Sequence, residues 1–92
     1  MAKNDAGNPG GGPEPHITVI VNGRPKHVNS TSLTFLQVVA LAFDPVRTDP
    51  DVLYTVQYSR GPRANPEGEL VEGGFVEIKS GMVFLVTETN RS

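Results

Sequence analysis

The sequence predicts an α+β domain, a five-stranded mixed sheet with one crossover helix, and three observations predict it. A short β-branched run, Ile17 to Val21, stops at Asn22-Gly23, the dipeptide that most favours a tight hairpin turn. Between Leu33 and Phe43 the apolar period lengthens from two to about 3.6 residues, which marks the single helix. The chain then returns to short strands, and the last of them, Val83 to Thr87, carries aromatic and β-branched residues on both faces, as a central strand does. At 92 residues there is room for one modest core and no second one.

Taken in order, residues 1–15, MAKNDAGNPGGGPEP, hold too little apolar surface to offset the entropy of ordering them, so they are expected to form a disordered arm. Their glycines are not a phosphate loop, because no strand precedes them and no Gly-Lys-Ser/Thr follows. The first strand turns at Asn22-Gly23 into a second, Pro25 to Val28. Ile17, Val19 and Val21 point one way and Ile20 the other, so this strand too reads as covered on both sides.

The helix start is marked twice. Thr34 with Gln37 three residues on fits a capping box, and Leu33 with Val38 fits the hydrophobic staple around it. Phe35, Val38, Val39 and Ala42 fall on one stripe, with Leu36 and Phe43 beside it, and Asp44-Pro45 ends the run. Leu53 to Arg60 alternates, Tyr54, Val56 and Tyr58 on one face and Leu53, Thr55 and Gln57 on the other. Gly61 to Gly68 is a turn-rich loop whose far end Leu70 and Val71 pin. Phe75 to Lys79 and Val83 to Thr87 flank Ser80-Gly81 as the last two strands.

One helix after the first hairpin, with two central strands at opposite ends of the chain, places those strands side by side and parallel. That arrangement is a β-grasp; the alternative is an α+β roll with the last two strands as an outlying hairpin. The domain is expected over residues 16–87, with a flexible tail over 88–92.

Composition narrows function by exclusion. A net charge of -2 argues against a nucleic-acid footprint, which needs clustered cations. No apolar run approaches the roughly 20 residues of a membrane span, and no secretory signal opens the chain, so a cytoplasmic protein with no membrane partner is expected. The absence of cysteine removes disulfides, thiolate metal sites and a thiol nucleophile. His16 and His27 lack partners at ligand spacing, so no metal site is expected. Ser30-Thr31-Ser32 has no Asp-His arrangement beside it and reads as helix-entry chemistry. Glu67, Glu69, Glu72 and Glu77 read as solvated, and Tyr54 and Tyr58 as core. No cofactor and no catalytic residue are expected: the domain is something enzymes act on.

Ile17 to Arg24, Val38 to Phe43, Tyr54 to Tyr58 with Gly61-Pro62 and Asn65-Pro66-Glu67-Gly68, and Lys79 to Thr87 together resemble the bacterial multiubiquitin-domain family. These are ubiquitin-like proteins found beside E1-like, E2-like and peptidase genes in bacterial ubiquitination-like operons. The resemblance runs from Ile17 to Ser92. It implies a ubiquitin-like modifier, activated at its C-terminus by an E1-like adenylating enzyme, passed to an E2-like carrier and joined to amines of target proteins, in defence against phage. It also implies that Glu88, Thr89, Asn90, Arg91 and Ser92 form the conjugation tail. Ubiquitin ends in Gly-Gly, which threads a narrow channel for want of a Cβ. This sequence ends Thr89-Asn90-Arg91-Ser92, so its partner enzymes accept another residue, or an operon peptidase first trims it, or no conjugation occurs. Asn90 and Ser92 are equal candidates for the joined residue.

A second reading is a noncovalent interaction module that forms homo-oligomers through its sheet edges or its uncovered face. A sulfur carrier is a third and weaker one. The expected partner-binding face is the side of the sheet away from the helix, built from Ile20, Leu53, Thr55, Gln57, Val83 and Leu85 with Arg60 and Arg63 at its rim. A one-residue slip in register would reverse that assignment.

Overall fold

Seven strands and one helix follow Ile17 in the computed structural model, which describes residues 16–90. They are β1 (Ile17–Val21), β2 (Arg24–Val28), β3 (Ser32–Thr34), α1 (Phe35–Ala42), β4 (Val52–Ser59), β5 (Gly68–Leu70), β6 (Phe75–Glu77) and β7 (Val83–Asn90). The main sheet runs β2-β1-β7-β4-β5, and β3 and β6 form a separate two-stranded sheet. β1 and β7 are parallel neighbours, Ile20 beside Val83 and Val21 beside Phe84, and every other pairing is antiparallel. With α1 packed on β1, β4 and β7, this is the β-grasp.

Local chemistry explains the turns. Asn22 (φ 52°) and Gly23 (φ 81°) both take the left-handed conformation that a two-residue hairpin with matched twist requires. Thr34 caps α1: its hydroxyl accepts from the Gln37 N–H at 3.2 Å, and the Gln37 side chain accepts from the Thr34 N–H at 2.8 Å. Phe35, Val38 and Val39 bury the stripe, and Phe43 leaves the helix in an extended conformation.

The core lies between α1 and one face of the sheet. Val19 and Val21 of β1, Val56 of β4, and Phe84 and Val86 of β7 meet Val38 and Val39, with Leu33, Leu70, Val76, Ile78 and Met82 closing the ends. None of the described polar or charged residues is buried among them. One side-chain amide fastens the strand at the centre. Asn22 Nδ2 donates to the Val86 carbonyl at 3.0 Å and its Oδ1 accepts from the Val86 N–H at 2.8 Å, so the side chain continues the lane that β1 leaves at the turn.

Three expectations need correction. The fifth strand of the main sheet is Gly68–Leu70, not Phe75 to Lys79, because Leu70 registers with Val56 and buries there. Phe75–Glu77 instead pairs with β3, Leu33 opposite Val76, both buried at one end of the core. The last strand does not end at Thr87. Glu88, Thr89 and Asn90 continue β7 beside Tyr54, Leu53 and Val52, because polar side chains are tolerated in a strand where both faces meet solvent. The strand over Leu53 to Arg60 closes at Ser59, since Arg60 takes a φ of 58°. The expected arm, residues 1–15, lies outside the described residues.

Asn22→Ala is expected to lower unfolding free energy by about 2–3 kcal/mol, from two lost hydrogen bonds and a left-handed backbone that alanine disfavours. Asn22→Gly keeps the turn and should fall about 1 kcal/mol short of that loss. Urea unfolding with an unchanged m-value checks both.

Candidate functional site: the open face of the sheet and the end of its last strand

Alternation along the strands decides which residues the helix leaves uncovered. Val19, Val56 and Phe84 point to α1, so their neighbours point away. The register brings those neighbours together: Ile20 beside Val83, Gln57 beside Leu85, Thr55 beside Thr87 and Leu53 beside Thr89. Ile20, Leu53, Thr55, Gln57, Val83 and Leu85 therefore share the open face. Leu53 and Leu85 are 44% and 51% exposed, high values for leucines within strands. A shallow depression of about 520 Å³ on this side is lined by Gln57, Ser59, Glu69, Val83 and Leu85 among others.

Arg60 follows β4 directly, next to the pair Ser59 and Val83, and is exposed. Arg63 is exposed in the loop closed by the Asn65 N–H on the Pro62 carbonyl and the Gly61 N–H on the Pro66 carbonyl, each at 2.8 Å. The face also holds residues that the sequence reading passed over. Thr18 Oγ1 and His27 Nδ1 stand 2.9 Å apart at its β1–β2 side, and Thr87 continues it along β7. A second apolar group, Leu36, Val71 and Phe75, is exposed around the start of α1.

The expected tail divides. Glu88, Thr89 and Asn90 lie in β7; Arg91 and Ser92 lie outside the described residues. Beyond Val86 only β4 pairs with β7, because β1 has already turned. The end of the sheet is thus a two-stranded overhang. Tyr54, expected in the core, is half-buried with its ring 5.4 Å from Phe43, and its hydroxyl works at this end of the sheet. It donates to Glu88 Oε2 at 3.0 Å and accepts from the Arg47 N–H at 2.8 Å. The Arg47 guanidinium reaches Asp49 at 3.1 Å and Glu88 Oε1 at 3.7 Å. No group of three or more His, Asp or Glu side chains among the described residues could hold a metal ion. No helix there is long and apolar enough to cross a membrane.

A β-grasp with one helix on one face, an open face opposite and its last strand at the centre is the framework of a ubiquitin-like domain. The multiubiquitin family model matches residues 17–90, and the chain belongs to that family. Searches of curated proteins and of solved structures return no match.

If the open face is a surface rather than part of the core, Leu85→Ala should cost under about 1 kcal/mol while its neighbour Phe84→Ala costs about 3–5 kcal/mol. Denaturant unfolding of the two variants measures the contrast.

Proposed function

We propose that this domain is a protein modifier of a bacterial ubiquitination-like pathway, a cytoplasmic protein that enzymes act on rather than an enzyme. An E1-like adenylating enzyme activates its C-terminal carboxylate, an E2-like carrier receives the acyl group, and an amine of a target protein takes it, after trimming by an operon peptidase where required. Defence against phage is the setting the family resemblance implies. The supporting observation is the overhang at the end of β7. A central strand carries Glu88, Thr89 and Asn90 out to the rim of the sheet, where only β4 pairs with them. The joined residue is then drawn from the stretch Glu88 to Ser92, Asn90 and Ser92 being the two candidates.

Transfer also needs a surface by which the enzymes hold the modifier. The open face is the one supported by exposed Leu53 and Leu85, flanked by Thr55, Gln57, Ile20 and Val83, with Arg60 at the end of β4 and Arg63 in the following loop. Large apolar side chains that stay in water in the free domain gain most from a partner that covers them.

The same leucines favour a second reading, noncovalent self-association through this face. Light scattering across concentration separates it, a strictly monomeric species at high concentration removing its support.

Co-expression with the neighbouring E1-like, E2-like and peptidase enzymes, followed by intact-mass measurement, should reveal adducts equal to target plus modifier less one water. Leu53→Asp with Leu85→Asp should cut their yield at least about tenfold without loss of folding. Working enzymes that leave neither an adduct nor a trimmed tail would refute conjugation.

A further inference from the structure

The end of β7 is fastened by Tyr54 of β4 together with Arg47, which lies on a segment outside the sheet. Arg47 belongs to the connection between α1 and β4, and the backbone N–H of Arg47 donates to the same Tyr54 hydroxyl that donates to Glu88. The hydroxyl therefore bridges the connection to the strand. The guanidinium adds a second tie to the other oxygen of the Glu88 carboxylate, at 3.7 Å, while its remaining arm is held by Asp49. All of this acts on the one part of β7 that has a single neighbouring strand. An isolated two-stranded ribbon is marginal in water, so small ties there govern how often it opens.

We propose that Arg47, Tyr54 and Glu88 form a latch that keeps the last residues of β7 paired with β4 and sets how readily this end is released to an enzyme. The inference rests on the conjugation reading for its purpose, though not for its geometry. An enzyme that activates or trims a carboxy-terminal tail needs several residues of it extended and free of the domain. With Glu88, Thr89 and Asn90 paired, that length is withheld; with the latch open it is supplied. Tyr54 is a positioning residue here, acting on the tail through Glu88.

Backbone alternation makes the latch measurable in the free, full-length protein. The Val86 N–H points to Asn22, on the β1 side, so those of Thr87 and Thr89 point to β4 and are protected only while the overhang is closed. Tyr54→Phe keeps the ring against Phe43 and removes only the hydroxyl. We expect Tyr54→Phe and Glu88→Ala to speed hydrogen exchange at Thr87 and Thr89 about three- to tenfold, and Glu88→Gln, which keeps an acceptor for Tyr54, to do so less. Exchange at Val56 and Phe84 should not change. Trimming past Asn90 by a general carboxypeptidase should accelerate by the same factor in each variant. Unchanged exchange and trimming, or a uniform acceleration across the sheet, would overturn the latch. Neither readout involves an adenylating enzyme, so failure of the latch and failure of conjugation are told apart.

Discussion

The pairing of β7 between β1 and β4 is the contact through which the two halves of the sheet are joined. On one side lies the β1–β2 hairpin, on the other the β4–β5 pair, and neither pair alone reaches the three strands that independent stability requires. β7 supplies the third strand to both. Its buried side chains, Phe84 and Val86, also belong to the floor on which α1 rests, where Val38 and Val39 are fully buried. The parallel contact with β1 is short, two registered pairs, and Asn22 lengthens it by offering Val86 both a donor and an acceptor. A turn residue thus substitutes for a further strand residue, so hairpin geometry and closure of the sheet depend on the same position.

One helix cannot cover both sides of such a sheet, and the dimensions explain why one face stays bare. Five strands spaced about 4.8 Å apart present a width near 20 Å, whereas a helix is about 10 Å across. On the covered side the deficit is made up by the β3–β6 sheet, with Leu33 and Val76, and by Phe43 and Val46 beyond the helix. On the other side nothing among the described residues does so. The exposure of Leu53 and Leu85 follows from this one-sidedness.

What the sequence made legible was whatever local chemistry specifies. Asn22-Gly23 forces its turn by backbone conformation, Thr34 and Gln37 satisfy each other's backbone within four residues, and the alternation from Leu53 to Gln57 sorts the two faces of β4 without reference to any partner. The open-face residues were legible for that reason. The remainder depends on contacts between distant segments. β3, β5 and β6 are three residues each, too short to show a period, and the first and last of these exist because the Phe35 N–H finds the Gly74 carbonyl at 3.1 Å and the Ile78 N–H finds that of Thr31 at 3.0 Å. By sequence the end of β7 resembles a tail, because Glu88, Thr89 and Asn90 are polar and exposed. Only the register with β4, and the Tyr54 hydroxyl reaching across 34 positions of chain, makes it a strand.

That strand end carries two opposed demands. Closing the sheet favours continuing β7 as far as β4 extends, because each added pair satisfies backbone groups and shields Val86 from fraying. The conjugation proposed above favours the reverse, since a strand residue already paired cannot lie in an enzyme's channel. The energies make the compromise workable. Opening residues 87–90 breaks the ladder bonds around Thr87 and Thr89, a tyrosine hydrogen bond and a partly exposed ion pair, each worth about 0.5 kcal/mol in water. The sum, about 2–3 kcal/mol, keeps the end closed in all but about one molecule in a hundred. Under the proposed conjugation, an enzyme that pairs with the released strand would offset it with a few backbone hydrogen bonds of its own. Opening stops at Val86, because the next steps would expose that side chain and strip the Asn22 amide of both partners, raising the cost steeply. The division within β7 is therefore energetic rather than sequential: a fixed part that ends where Asn22 grips the backbone, and a releasable part that begins at the next residue.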